Sequence, residues 1–306
     1  MEKHMSDYSK GMRVKNSTRP DWGLGQVLSD SAGGRVRVFF IDGGEKLLML
    51  SHVSLVQVEG DEARSLFLDN LVVEKSVKVK CFASFKDTTE TFRKLFPEGF
   101  QDSYFDKWER EYKLQGCLLL TELLDKDDFA KLLDKKEFQE ICNRAMRVVN
   151  KLNLIFPNEK MALKDGLKLE NNQQFFSEKL YALLYSDDEM KSRFNGFASC
   201  LGKLGAAKWP IVSYFQFIRY PEQYMFVKPQ VTQNAASILG FELNYQSELN
   251  WQTYDSVQNF AKYLKERLVE MNPRDMIDVQ TFMWCIDPSV YKEYLDWIEK
   301  SEQKNS

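Results

Sequence analysis

The hydrophobic period of this chain changes once, near residue 60, and that change constrains the fold more than any motif does. Before it, apolar and polar residues alternate. In Arg35-Val36-Arg37-Val38-Phe39-Phe40-Ile41 the arginines fall on one face of an extended segment and the valines on the other, the period of a half-buried strand. Asp42-Gly43-Gly44 follows as a hairpin turn, where glycine accepts positive φ. With a short strand near Val14, another from Gly25, and returns over Glu45 to Leu50 and Val53 to Val58, residues 11–58 hold five short strands. A small barrel is expected, because closure removes exposed edges.

After the change, apolar residues recur at helical spacing. Thr88 to Phe96 is stopped by Pro97-Glu98-Gly99, and Tyr104 to Leu124 is a longer helix. Phe138 to Phe156 carries a stripe of Ile141, Ala145, Val148, Val149, Leu152 and Ile155. Helices are predicted over 175–184, 193–204, 211–218, 276–286 and 290–298. The clearest spans Tyr254 to Met271, with Val257, Phe260, Ala261, Leu264 and Leu268 on one face. The expected organisation is a polar, disordered tail over 1–10, a β-barrel over 11–60, a connector with a short helix over 61–103, and a mainly α-helical domain over 104–306.

Composition removes whole classes of function. At 43% hydrophobic and 28% charged, with a net charge of −3, the chain has the balance of a folded soluble protein. No apolar run approaches the roughly 18 residues of a membrane span, and no apolar signal core opens the chain. A cytoplasmic protein without a membrane partner is expected. The five cysteines, Cys81, Cys117, Cys142, Cys200 and Cys285, show no metal-ligand or redox spacing and read as reduced thiols. The two histidines, His4 and His52, are too few for a zinc site or a histidine triad. No phosphate-cradling glycine loop is present, so no metal and no cofactor is predicted. Catalysis, if any, falls to carboxylates, lysines, tyrosines or thiols.

The first segment carries a resemblance. Gly11-Met12-Arg13-Val14, Arg19-Pro20-Asp21-Trp22-Gly23-Leu24-Gly25-Gln26-Val27, Val36 to Phe40 and the Asp42-Gly43-Gly44 turn are similar to the Tudor/SH3-like domain of unknown function found on bacterial DNA-repair proteins. That domain is similar to the tail modules of repair helicases and to the RNA-polymerase-binding modules of transcription–repair factors. The resemblance implies an SH3/Tudor-like barrel that docks on a protein or on DNA. Trp22 either plugs the barrel end or grips a partner. Arg35 and Arg37 share an outward face that is a solvated surface or a small basic patch. Residues 11–58 hold six basic and four acidic side chains, a net of +2 that does not decide between them.

The helical part singles out Lys228. Pro229 fits a first helical turn and Gly240 the residue past the last, which makes Lys228 the N-cap. Lysine accepts no hydrogen bond there, and its charge faces the positive helix end, so its pKa is expected to fall. An amine of that kind suits a nucleophile or an anion contact; the alternative is a surface lysine reaching water. Val227-Lys228-Pro229-Gln230-Val231 running to Leu239-Gly240, with Leu204-Gly205-Ala206-Ala207-Lys208-Trp209-Pro210 upstream, resembles the helix–hairpin–helix DNA glycosylase superfamily. The chain departs from that pattern. Lys228 stands where the family has its catalytic aspartate, the glycine-rich hairpin is reduced to Gly205, and no four-cysteine cluster follows.

Asp278 is the carboxylate available to replace it, either partly desolvated on an apolar border or paired to Arg274, while Asp275 reads as a helix cap. N-glycosidic cleavage needs a negative group under the sugar cation and an amine or base to deliver the nucleophile, the roles offered to Asp278 and Lys228. Residues 202–234 carry Lys203, Lys208, Arg219 and Lys228 against Glu222 alone, a net of +3. With Arg274, and with Tyr245 and Trp251 to stack on bases, Lys203, Lys208 and Arg219 are the predicted nucleic-acid contacts. Two functions result. One is a DNA-processing enzyme with glycosylase-like base excision and a docking barrel. The other is a non-enzymatic adaptor whose barrel binds RNA polymerase or a DNA-repair partner.

Overall fold

A computed structural model describes residues 8–72, 82–287 and 290. His4, Cys81 and most of the helix expected over 290–298 lie outside the described residues. Five strands come first: β1 (Arg13–Asn16), β2 (Leu24–Ala32), β3 (Arg35–Phe40), β4 (Gly44–Met49) and β5 (Leu55–Gln57). Helices follow: α1 (Leu66–Asp69), α2 (Phe85–Leu95), α3 (Ser103–Phe105), α4 (Glu111–Leu123), α5 (Lys126–Asp134), α6 (Phe138–Lys151) and α7 (Pro157–Gly166). The series continues with α8 (Glu170–Tyr185), α9 (Met190–Lys203), α10 (Trp209–Arg219), α11 (Pro229–Leu239), α12 (Trp251–Arg267) and α13 (Met276–Cys285). This is the small β unit followed by a mainly helical body that the change of period predicts. No described helix is long and apolar enough to cross a membrane.

The chain divides into two compact units that do not follow chain order. One comprises the described residues within Met1–Pro97, Gln233–Leu243 and Trp284–Ser306; the other comprises Glu98–Thr232 and Asn244–Met283.

In the first unit the strands form one antiparallel sheet in the order β4-β3-β2-β1-β5. Its inner face buries Val14, Val27, Val36, Val38, Phe40 and Leu48. Two glycines are required by close approach. A Cβ on Gly25 would lie 2.6 Å from the Phe40 ring, and one on Gly43 would lie 2.7 Å from the Trp22 ring. Tyr8 and Lys10, expected in a disordered tail, precede the first strand but are hydrogen-bonded to the sheet. The Tyr8 hydroxyl donates to the Leu55 carbonyl at 2.9 Å, and the Lys10 amide donates to Asp30 at 2.7 Å. Phe39 lies on the outward face with the arginines, yet it is buried. Phe67 and Phe82 of the connector cover it, with ring centroids at 5.8 and 6.1 Å, and Phe241 packs on Phe67 at 5.8 Å. The backbone joins the same segments, since the Val72 amide donates to the Gly240 carbonyl and the Ala83 amide to the Ile238 carbonyl.

In the second unit α10 is buried throughout Trp209–Ile218, the pattern of a helix surrounded by others. Its polar side chains bond internally: the Ser213 hydroxyl donates to the Trp209 carbonyl and accepts from the Val227 amide, and the Gln216 amide donates to the Tyr254 hydroxyl, while Gln216 Oε1 is left without a partner. Aromatic stacking closes the core, with Phe194 parallel to Tyr254 at 4.6 Å and Phe176 against Phe197 at 5.8 Å.

The described cysteines are free thiols. Burial pushes Cys117, Cys142 and Cys200 up to about 12 from an ordinary value of 9.0. A raised thiol pKa favours the fold while the unfolded thiol is also neutral, and the advantage is lost once the unfolded chain ionises and the folded one resists. Stability is therefore expected to hold up to about pH 9 and to fall between pH 9 and 12. Urea midpoints across that range check this. A midpoint that falls no further for the wild type than for a Cys142→Ala, Cys200→Ala variant would exclude the thiols as the cause.

Candidate functional site

Lys228 takes the place the sequence assigns to it. Its carbonyl accepts the Thr232 amide at 2.9 Å as α11 begins, and Gly240, at φ +82°, ends the helix with its amide bonded to the Ala236 carbonyl. The side chain is half-buried, with its amine 5.3 Å from the centre of the Phe156 ring. A cation over an exposed aromatic face is a weak, partly hydrated contact. Lys228 lines neither the cleft bounded by Glu222, Tyr224, Lys262 and Met276 nor the groove bounded by Asn143, Arg147 and Lys164.

Asp278 lies in a different setting. It is 0% exposed and belongs to a buried ion cluster assembled by the chain around Arg110 and by the start of α13. Between α3 and α4 the helix widens by one residue into a π turn over Asp106–Arg110, which leaves both Glu109 and Arg110 buried. The Arg110 guanidinium donates to Asp275 at 2.6 and 2.8 Å and to Asp278 at 2.8 Å. Arg274 donates to Asp278 from its guanidinium at 2.9 Å and from its backbone amide at 2.8 Å, and it pairs with Asp106 at 2.7 Å. Burial alone would lower the Arg110 pKa, but Asp275 and Asp278 outweigh it and hold the guanidinium above its ordinary value. Asp275 also caps α13, accepting the Ile277 and Asp278 amides. Lys113, 1% exposed, continues the cluster by donating to Thr281 at 2.9 Å.

Both oxygens of Asp278 are thus committed to arginines, and neither partner is shared with Lys228. The pairing of Asp278 with Arg274 is present as one of the two readings of the sequence has it. Arg110 and Lys113 were missed because charges inside a helical stretch read as its solvated face. The one available signal is that Arg110 and Lys113 sit three apart, on the stripe that continues to the buried Leu120.

The predicted nucleic-acid contacts are dispersed. Lys203 and Lys208 are exposed on either side of the turn at Gly205, with the Lys203 amine 4.4 Å from the Phe175 ring centre. Arg219 lies at the far end of α10, roughly 16 Å along the axis from Lys208. It is held between Tyr185 and Tyr220, donating to the Tyr185 hydroxyl at 3.2 Å. Arg274 is consumed by the ion cluster. Tyr245 and Trp251 are half-buried against Trp209 and Phe194 respectively.

On the sheet, Trp22 is half-buried among residues of its own unit. Its ring packs on Phe40 at 5.2 Å while the Arg19 guanidinium and the Lys46 amine lie 4.7 and 5.5 Å from the ring centre. Arg37 donates from Nε to Glu45 of β4 at 2.9 Å, whereas Arg35 is exposed. Arg35 pairs with Met49 and Arg37 with Leu47 across the two strands. Leu47 and Met49, on the edge strand β4, are 63% and 50% exposed.

No curated protein and no solved structure matches the chain. Residues 8–58, the sheet with its Trp22 corner and β4 edge, match the model of a family described as a protein of unknown function, DUF3553.

Proposed function

We propose that the chain is a non-enzymatic adaptor, its N-terminal β unit docking on a protein of the transcription or DNA-repair machinery, RNA polymerase or a repair factor. The observation that carries this reading is the outer edge of the sheet. β4 ends the strand order, and its Leu47 and Met49 present two apolar side chains to water beside Arg35. Edge strands in stable monomers are ordinarily blunted by charge, proline or cover, so an apolar edge favours a partner. A strand or loop from that partner, apolar with an acidic residue opposite Arg35, suits the surface. The commitment of Asp278 to Arg110 and Arg274 speaks for the adaptor over the glycosylase-like enzyme, since a carboxylate so occupied is not offered to a sugar cation.

The test uses the full chain with purified RNA polymerase core and with repair helicase. Binding to either is expected to weaken at least about tenfold in a Leu47→Glu, Met49→Glu variant whose melting temperature is unchanged. Absence of binding to both, or binding indifferent to the two substitutions, sinks the proposal. Incubation with modified and unmodified duplexes in the presence of borohydride is expected to trap no adduct and release no base. A covalent adduct lost in Lys228→Ala would establish the enzyme instead.

A further inference from the structure

The helical unit holds a groove that the adaptor reading does not use. It has a volume of about 530 Å³ and runs along α6 and α7. Asn143, Arg147 and Asn150 follow one another at helical spacing on one face of α6, and Lys164 and Lys168 stand one turn apart on the other wall. Cys142, Met146 and Leu167 form an apolar floor, and among the described residues no carboxylate lines the groove. Over residues 138–168, Arg144, Arg147, Lys151, Lys160, Lys164 and Lys168 stand against Glu140, Glu159 and Asp165, a net of 6 − 3 = +3.

The polar wall is oriented as well as charged. The Gln173 side-chain amide, itself buried, donates to the Gln139 carbonyl oxygen at 2.6 Å. The Gln139 amide then donates to the Asn143 carbonyl oxygen at 2.9 Å. This relay occupies the acceptor of Asn143 and leaves its N–H donors for the groove. Arg144 is removed from the count by Asp128 and Glu140, which hold it at 2.5 and 2.8 Å. Lys168 meets Asp165 at 2.7 Å, but both side chains are exposed and such a pair contributes little. Cations and N–H donors over an apolar floor, with the Gln139 and Asn143 acceptors tied back, suit a ligand that offers acceptors and negative charge. The cations are strung along two walls instead of converging on a point, and among the described residues no aromatic ring lines the groove for stacking a base.

We propose that this groove binds the phosphodiester backbone of a nucleic acid, with Arg147, Lys164 and Lys168 neutralising successive phosphates and Asn143 donating to a phosphate oxygen. Backbone contacts of this kind give affinity without sequence preference and a steep dependence on salt. The assignment is independent of the β4 edge, so either can fail alone.

The test is fluorescence anisotropy of the full chain with a labelled single strand and the matching duplex, over a salt titration. Replacing Arg147, Lys164 and Lys168 together by alanine is expected to weaken binding at least about tenfold. For the single strand it should flatten the log–log salt slope by roughly 2, at ~0.7 per phosphate contact. Lys126→Ala with Lys131→Ala and Lys135→Ala, on α5 and at its C-cap, removes the same charge elsewhere in the unit and is expected to leave binding within about twofold. Asn143→Asp, which places a carboxylate in the groove, should weaken binding in the same direction as the triple variant. Equal losses in the two triple variants would reduce the effect to net charge and overturn the site. So would failure of the unmodified chain to bind either oligonucleotide at low salt. A nucleoside monophosphate that binds as tightly as the oligonucleotide would overturn the backbone assignment.

Discussion

Replacing Asp278 by alanine is expected to cost about 3–5 kcal/mol of stability, the cost of removing one partner from a buried ion pair. The carboxylate is wholly enclosed and accepts hydrogen bonds from Arg110, from the Arg274 guanidinium and from the Arg274 amide. Alanine leaves those donors facing a small cavity, with Asp275 and Asp106 as the remaining counterions. Asp106→Ala, at the half-exposed end of the cluster, should cost only about 1 kcal/mol or less, because water replaces the lost partner. Urea denaturation of the two variants separates these cases, and the Asp278 variant should melt on the order of 10 °C lower. A loss below about 1 kcal/mol for Asp278→Ala would mean that the cluster does not hold the π turn to α13. It would also reopen Asp278 to the chemical role that its pairing argues against.

Gly25→Val is expected to destabilise the β unit by about 3 kcal/mol, the upper range for overpacking a filled core. The new Cβ would lie 2.6 and 2.8 Å from two atoms of the Phe40 ring and 2.9 Å from Val38. Phe40 cannot retreat freely, because Trp22 packs on it and Gly43 lies directly beneath Trp22. Gly25 and Gly43 therefore have a steric origin: they leave room for the Phe40 and Trp22 rings, which meet at a tilt. Gly202→Ala in α9 is the control. A Cβ there meets nothing within 4 Å, and a helical alanine should raise stability by about 0.5–1 kcal/mol. Urea denaturation followed by circular dichroism measures the loss, and a Gly25→Val protein as stable as the wild type would refute the packing account.

Local features of this fold were legible where one segment supplies its own evidence. The alternation in Arg35 to Phe40, the turn at Asp42-Gly43-Gly44, and the stripe of Ile141, Ala145 and Val148 each announce an element that the structure contains. Pro229 and Gly240 bracket α11 as predicted. α7 was missed, because only Leu163 of its residues is buried and a helix with so little apolar surface leaves no stripe. The burial of Phe39 was illegible because its cover, Phe67 and Phe82, comes from a connector with no period of its own. The ion cluster was illegible for a related reason. A buried arginine is tolerable only beside its counterions, and those of Arg110 lie more than 160 positions away along the chain. The groove escaped notice because Asn143, Arg147 and Lys164, taken singly, read as an ordinary wetted face. Only the relay from Gln173 through Gln139 marks that face as oriented.

The aromatic cover of the sheet sets a schedule for biosynthesis. Phe39 and Phe67 leave the ribosome early, but Phe241, and the Ile238 and Gly240 carbonyls that receive Ala83 and Val72, emerge only after roughly 170 to 200 further residues, on the order of 10 to 40 s of elongation. During that interval the nascent N-terminal portion exposes phenylalanines that the finished protein hides. A ribosome stalled before residue 233 would hold a sheet lacking its last covering segment, a natural client for chaperones that recognise exposed aromatic rings.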